Sequence, residues 1–243
     1  YLQEILGSDR GNQKPAISLA SVYIEMGNFN NAIDCLRNAI EANSENKILV
    51  HNLGLCLVTI GHFEEGWKAI ESIWEEEDKK SSFFYKRAKK IWKGNNSAQN
   101  IVLWRRQQGI GEDIIFLGLL PEVKEMCASL SVYVDPRLHA LCRHTMPEIN
   151  FVKDVKELQN VECDYHLPIQ SLGGLIRNDI SDFDRTVTGY LKADPKRVEA
   201  IRQELQLDGK TVIGISWKSA STRYKTKSIQ LRDMERLFSG LDV

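Results

Sequence analysis

Two neighbouring acids, Glu112 and Asp113, follow a Gly109-Ile110-Gly111 turn. A carboxylate held at the end of a strand by such a turn can take a proton from a hydroxyl nucleophile. Acids in a first helical turn also simply complement the helix dipole, so spacing alone leaves both roles open. A second cluster lies about a hundred residues on, where Lys218, Arg223, Lys225 and Lys227 alternate with Ser216, Ser219, Ser221, Thr222, Thr226 and Ser228. Cations interleaved with hydroxyl donors suit a diphosphate, although a solvated basic loop has the same composition. The stretch Lys218–Ser228 holds no glycine, so it is not a Walker loop.

Other chemistries fit less well. The run from Gly109 approximates a dinucleotide fingerprint, but Ile114 stands where the third glycine belongs. Its two acids would also repel a pyrophosphate from the helix N-terminus. His166 falls between a strand candidate and a turn, either facing a cleft on the acceptor side or serving as a structural histidine. His51, His62, His139 and His144 have no partners at ligand spacing, and no metal or cofactor is expected. Cys35, Cys56, Cys127, Cys142 and Cys163 are scattered through apolar runs, which points to a reducing, cytoplasmic setting.

The elements that must position these residues change character near Asn100. Beyond it, strand candidates Ile101–Arg105, Ser131–Asp135, Asn150–Lys153, Cys163–Pro168 and Thr211–Trp217 alternate with helix candidates. Those helices are Asp113–Met126, Pro136–Met146, Ser171–Arg177, Pro195–Leu205 and Gln230–Leu241. The alternation implies a mostly parallel α/β sheet, whose ligands sit beyond the carboxyl ends of its strands.

Before Asn100 the chain repeats. Residues 13–46 and 47–80 superimpose without gaps, pairing Leu19 with Leu53, Ala20 with Gly54, Tyr23 with Leu57 and Gly27 with Gly61. Phe29 then pairs with Phe63, Ala32 with Gly66 and Leu36 with Ile70 at the same spacing of 34, the tetratricopeptide period. Small residues let paired helices approach closely, and a glycine can end the first helix of each pair. The expected organisation is helical repeats over 1–80 and a capping helix and linker over 81–98. An α/β region over 99–208 and the opening of a further one over 209–243 follow. The capping helix would place Phe83, Phe84, Ala88 and Trp92 on its apolar side. Its basic residues Lys86, Arg87, Lys89, Lys90 and Lys93 suit an anion site or, more simply, a solvated face. The absence of an initial Met and the closing helix pattern suggest that both ends continue elsewhere.

A formal net charge of -1 gives no electrostatic case for a nucleic-acid partner. No apolar run has the length of a membrane span.

From Ile91 to Leu138 the segment IWKG…IVLWRRQQGIGEDIIFLGLLPEV…SVYVDPRL resembles bacterial proteins that join tetratricopeptide repeats to a heptosyltransferase-like glycosyltransferase. The matching positions are Gly109, Gly111, Pro121, Asp135, Pro136, Arg137 and Leu138. Further matches are His166 to Ile169 with Ser171 and Leu172, Tyr190 and Leu191 with Ala193 and Asp194, Gly214 to Trp217, and Gly66-Trp67 in the second repeat. The resemblance implies a GT-B fold akin to O-linked N-acetylglucosamine transferases, with a first Rossmann-like lobe over 99–208, the opening of a second over 209–243, and an acceptor bound near Gly109–Asp113. It implies a nucleotide-diphosphate sugar as co-substrate, its phosphates near Ser216, Lys218, Ser219, Lys225 and Lys227, and a metal-free, inverting transfer to an acceptor hydroxyl on a glycan or protein. The family's Asp–Glu order appears here as Glu112-Asp113, so both acids remain candidates for the base. With most of the donor lobe absent, this stretch alone is expected to be inactive. The alternative is an interaction protein whose repeats bind a protein partner and whose α/β part is a non-catalytic scaffold.

Overall fold

The computed structural model describes residues 14–42, 44–74, 90–94, 99–106, 109–185, 189–207, 212–218 and 228–238. The chain divides into two compact units, Tyr1–Lys192 and Ala193–Val243.

The first unit opens with two antiparallel helix pairs: α1 (Lys14–Glu25) with α2 (Phe29–Ala42), then α3 (Lys47–Thr59) with α4 (Phe63–Glu71). Leu36, Leu49 and Leu57 are buried between them with the small residues Ala20 and Ala32. The two repeats close their first helices identically. Gly27 and Gly61 take φ of +72° and +89°, where a Cβ would be strained. The next amides then reach back five residues, Asn28 N–H to the Tyr23 carbonyl at 2.8 Å and His62 N–H to the Leu57 carbonyl at 2.9 Å. Between α3 and α4 the backbones approach so closely that a Cβ on Gly54 would lie 2.7 Å from the Gly66 carbonyl oxygen.

The sheet follows. Strands β1 (Asn100–Trp104), β2 (Ser129–Tyr133), β3 (Asn150–Val152) and β4 (Tyr165–Pro168) are parallel, in the order β3-β2-β1-β4. The chain runs outward from β1 through β2 to β3 and returns to β4 on the other side, which makes the β1/β4 boundary a topological switch point. Both faces are covered, as a parallel sheet requires. Ile101 and Leu103 pack into the larger core, while Val102 faces Val152 and Leu158 on the other side.

The crossovers begin with α5 (Ile110–Leu117) and α6 (Leu120–Glu125), where a single helix over Asp113–Met126 was expected. Pro121 stands in the first turn of α6 and can donate no backbone hydrogen bond, so the ladder breaks there. Then come α7 (Pro136–Thr145), α8 (Val155–Gln159), a 3-10 turn at Ile169–Ser171, α9 (Leu172–Ile176) and a second 3-10 turn at Ile180–Arg185. Asp135 and Asp154 cap α7 and α8 through the amides of Arg137 and Glu157.

The expected capping helix over 81–92 is corrected at its described end. Residues Lys90–Trp92 are extended and pair alongside β4, with Trp92 N–H donating to the His166 carbonyl at 2.9 Å. The Trp92 ring is buried in the core of the sheet rather than against the repeats. Residues 81–89, with their basic cluster, lie outside the described residues.

The repeats dock directly on the sheet domain. From α4, the Trp67 indole N–H donates to the Arg177 carbonyl at 2.7 Å, and a Cβ on Gly173 would lie 2.8 Å from the Trp67 ring. Phe63 and Phe183 pack at a tilt with ring centroids 4.9 Å apart. Arg177, 2% exposed, is forked by the Glu122 carboxylate.

The second unit contains α10 (Pro195–Glu204) and α11 (Leu231–Phe238). Helix α10 buries none of its residues. The expected strand over 211–217 is not formed in its described part: Val212–Lys218 are exposed and carry no ladder. The run is apolar enough for a buried strand, but its backbone groups need a neighbouring strand, and none lies alongside it among the described residues.

Candidate functional site

Asp113 and Glu112 part company at the first turn of α5. Asp113 is 2% exposed and points into the sheet's carboxyl end, whereas Glu112 is exposed. One Asp113 oxygen accepts from Arg105 Nε at 2.7 Å and the other from Gln170 Nε2 at 3.4 Å. Arg105 follows β1 directly, and its Nη2 also lies 3.7 Å from the Asp135 carboxylate at the end of β2. Gln170, in the 3-10 turn after β4, accepts in turn from the Arg106 amide at 3.2 Å. Three adjacent strand ends therefore converge on one acid beside the switch point.

The two buried carboxylates titrate in opposite directions. Burial pushes Asp113 above the usual carboxylate range, and the hydrogen bond and charge of Arg105 oppose that rise. Hydrogen bonds from the side chain and amide of Arg137 hold Asp135 well below that range. Asp135 therefore stabilises the fold above its unfolded pKa of about 3.9, and this contribution is lost as pH falls towards its folded value. Asp113 has the reverse sign: its burial penalty is absent at low pH and grows as pH rises from about 3.9 through its raised folded value. Asp135→Asn is accordingly expected to lower the melting temperature at neutral pH and to converge on the parent chain in acid. Thermal unfolding across pH checks this; an undiminished difference in acid would contradict it.

The remaining candidate residues fall elsewhere. Gly109 caps α5 with φ -69°, and neither it nor Gly111 takes a positive φ. A Cβ on either would meet nothing within 4 Å. The expected glycine-bent turn is thus an ordinary helix start, and its glycines leave open space beside them instead. His166 is not in a loop: it sits within β4, 2% exposed, and its Nδ1 faces the Trp104 indole N–H at 3.1 Å. Ser216 and Lys218 are exposed in the second unit, while Ser219, Lys225 and Lys227 lie outside the described residues.

Sequence reasoning missed Arg105, Gln170 and Arg106. The doubled arginine at the end of β1 was the available signal, since a buried strand seldom closes on two cations without acids to receive them. Cys142, on α7, is pushed up to about 11 by burial and then by the charge of Asp113, which removes it as a nucleophile. Among the described residues no cluster of three metal-binding side chains occurs, and no helix is long and apolar enough to cross a membrane.

Residues 16–46 match the tetratricopeptide repeat family. That stretch spans α1 and α2, and the second pair repeats its geometry. The chain is also 24% identical over 180 residues to Protein FlbA of Caulobacter vibrioides, covering 67% of this chain and 30% of that protein. It therefore spans less than a third of that relative's length. Among solved structures, a mutant O-GlcNAc transferase of Thermobaculum terrenum is similar at a TM-score of 0.29 and 16% identity. The overlap covers 63% of this chain and 36% of that one, a likeness too distant to transfer residue roles. The architecture is tetratricopeptide-like helical repeats followed by an α/β domain with a parallel sheet.

Proposed function

We propose that this chain carries the acceptor-side lobe of a glycosyltransferase that moves a sugar from a nucleotide-diphosphate donor to an acceptor hydroxyl. The observation that supports this most is the buried acid at the carboxyl ends of β1, β2 and β4, where α/β sheets bind ligands. Asp113 takes the proton as the acceptor oxygen attacks the anomeric carbon and the bond to the nucleotide diphosphate breaks. Burial raises its basicity, and Arg105 keeps it ionised and aimed. The open space above Gly109 and Gly111 gives the acceptor its approach. In this reading the sugar nucleotide is the co-substrate, no metal or further cofactor is needed, and the repeats recruit a partner or acceptor.

One observation favours a second reading. Both Asp113 oxygens already have partners, and a buried acid so satisfied also serves a purely structural role in a repeat-based interaction protein. Calorimetric titration of UDP-, GDP- and dTDP-sugars against the full-length protein, with NAD as control, separates the two. Saturable binding of a sugar nucleotide but not NAD is expected. Binding of none would leave the interaction protein standing.

A further inference from the structure

Two dipeptides lie beyond the last ladder pair of the central strands, Trp104 of β1 with Pro168 of β4. One is Arg105-Arg106 and the other is Gln170-Ser171 of the 3-10 turn. Each divides its side chains between two acids. Arg105 and Gln170 hold Asp113, at 2.7 and 3.4 Å. Arg106 and Ser171 hold Glu71, the last residue of α4, each at 2.8 Å. The Arg106 N–H, donating to Gln170 Oε1 at 3.2 Å, joins one dipeptide to the other.

The ladder of β1 with β4 stops short of both dipeptides, so strand pairing does not fix the directions of Arg105 and Gln170. The Glu71 carboxylate supplies a clamp in its place. It accepts from Arg106 at both oxygens and from Ser171 at one, and Arg106 also donates to Ser171 at 3.2 Å. Charge-assisted bonds of this kind are roughly twice as strong as neutral ones. The clamp has a fixed base, because Trp67 stands four residues earlier on the same face of α4 and packs tightly against Gly173. Trp67 already docks the repeat. The second attachment, at Glu71, reaches the very segments that carry the partners of Asp113, so a movement of Glu71 passes through shared backbone to Arg105 and Gln170.

We propose that Glu71 of the second repeat is a positioning residue for Asp113, acting through Arg105-Arg106 and Gln170-Ser171, so that the repeat is part of the transfer site. The assignment rests on the transferase reading for its purpose. Glu71 takes no proton in this role; it sets the direction of the groups that aim the base. A misplacement of about 1 Å can cost about a hundredfold in rate. The other charges acting on Asp113 are those of Asp135 and Arg137, and neither bonds Glu71 among the described residues. An effect of Glu71 on Asp113 therefore reports on Arg105 and Gln170.

The test is an NMR titration of the full-length protein carrying isotope-labelled aspartate, with the Asp113 carboxyl signal assigned by its loss in Asp113→Asn. In Glu71→Gln the Asp113 pKa should rise by about 0.5–1 pH unit, part of the 1–3 that an adjacent guanidinium supplies. The sign is decisive, because loss of the Glu71 charge acts directly in the opposite sense: removing a negative neighbour lowers a carboxyl pKa. Turnover should fall about tenfold with KM within about a factor of two, and the acidic limb of the kcat profile should move up with Asp113. The pair Arg106→Met with Glu71→Leu strands no charge, covers the case in which Glu71→Gln folds poorly, and should show the same rise and the same loss. Glu65→Gln, on the same helix but paired with Arg37 at 3.1 Å, should leave both readouts at parent values; an equal effect there would overturn the assignment. So would an Asp113 titration that stays or falls in the Glu71 variants, or a rise in KM with kcat intact. The two readings fail separately. A raised titration in a protein that transfers no sugar keeps the positioning and removes the transferase, whereas sugar transfer without the rise removes only the positioning.

Discussion

Replacing Arg106 by Met is expected to destabilise the fold by about 3 kcal/mol, at the lower end of the range for breaking a buried ion pair by removing one partner. The Arg106 side chain is 3% exposed. Its guanidinium donates to both Glu71 oxygens, at 3.1 and 2.8 Å, donates to Ser171 Oγ at 3.2 Å, and lies 5.0 Å over the Trp74 ring. Met would fill much of the space but leave the Glu71 carboxylate against the sheet with no cation. Glu71 is 34% exposed, so water recovers part of its solvation and keeps the loss below the upper limit. For a chain of this size the melting temperature should fall by about 6–12 °C. Because Glu71 ends α4 and Arg106 follows β1, the same change should let the repeats unfold ahead of the sheet. Pairing Arg106→Met with Glu71→Leu should recover part of the loss, since no charge is then stranded. Calorimetry of the parent and the two variants checks the set; a loss below about 0.5 kcal/mol, the size of an ordinary surface substitution, would mean the junction is not held by this pair.

Much of this architecture could be read before any coordinates. The spacing of 34 brought Gly27 and Gly61 to equivalent helix ends, because positive φ at a helix terminus selects glycine wherever the motif recurs. Strands β1 to β4 were legible because parallel strands covered on both faces are rich in apolar residues. The same signal misled over Val212–Trp217, where apolar residues have no neighbouring strand among the described residues. Trp92 looked helical because Phe84, Ala88 and Trp92 recur at helical spacing, whereas its ring fills the core beside β4. At the site, sequence located the acids but could not separate them. Adjacent helical positions differ by about 100° in direction, and which one faces the sheet depends on how α5 leaves β1. His166 illustrates the converse: a polar residue within β4 is satisfied by Trp104, two positions beyond its register partner Val102 and on the same face.

The direction that α5 takes makes Asp113, rather than Glu112, the expected base. Asp113→Asn keeps the side chain's shape and one acceptor oxygen towards Arg105 but removes the ability to take a proton. Its effect should therefore fall on turnover, by a factor of about 10²–10⁴, the usual worth of general base catalysis. Glu112, exposed on the outer side of the same turn, should tolerate Gln with little loss. The most direct measurement is kcat for sugar transfer by the full-length protein and by these two variants, each shown to be folded by circular dichroism. A collapse of turnover in Asp113→Asn, with Glu112→Gln near the parent rate, is the predicted result. Parent-like turnover in Asp113→Asn, or a collapse in Glu112→Gln alone, would contradict the assignment of Asp113 as the base.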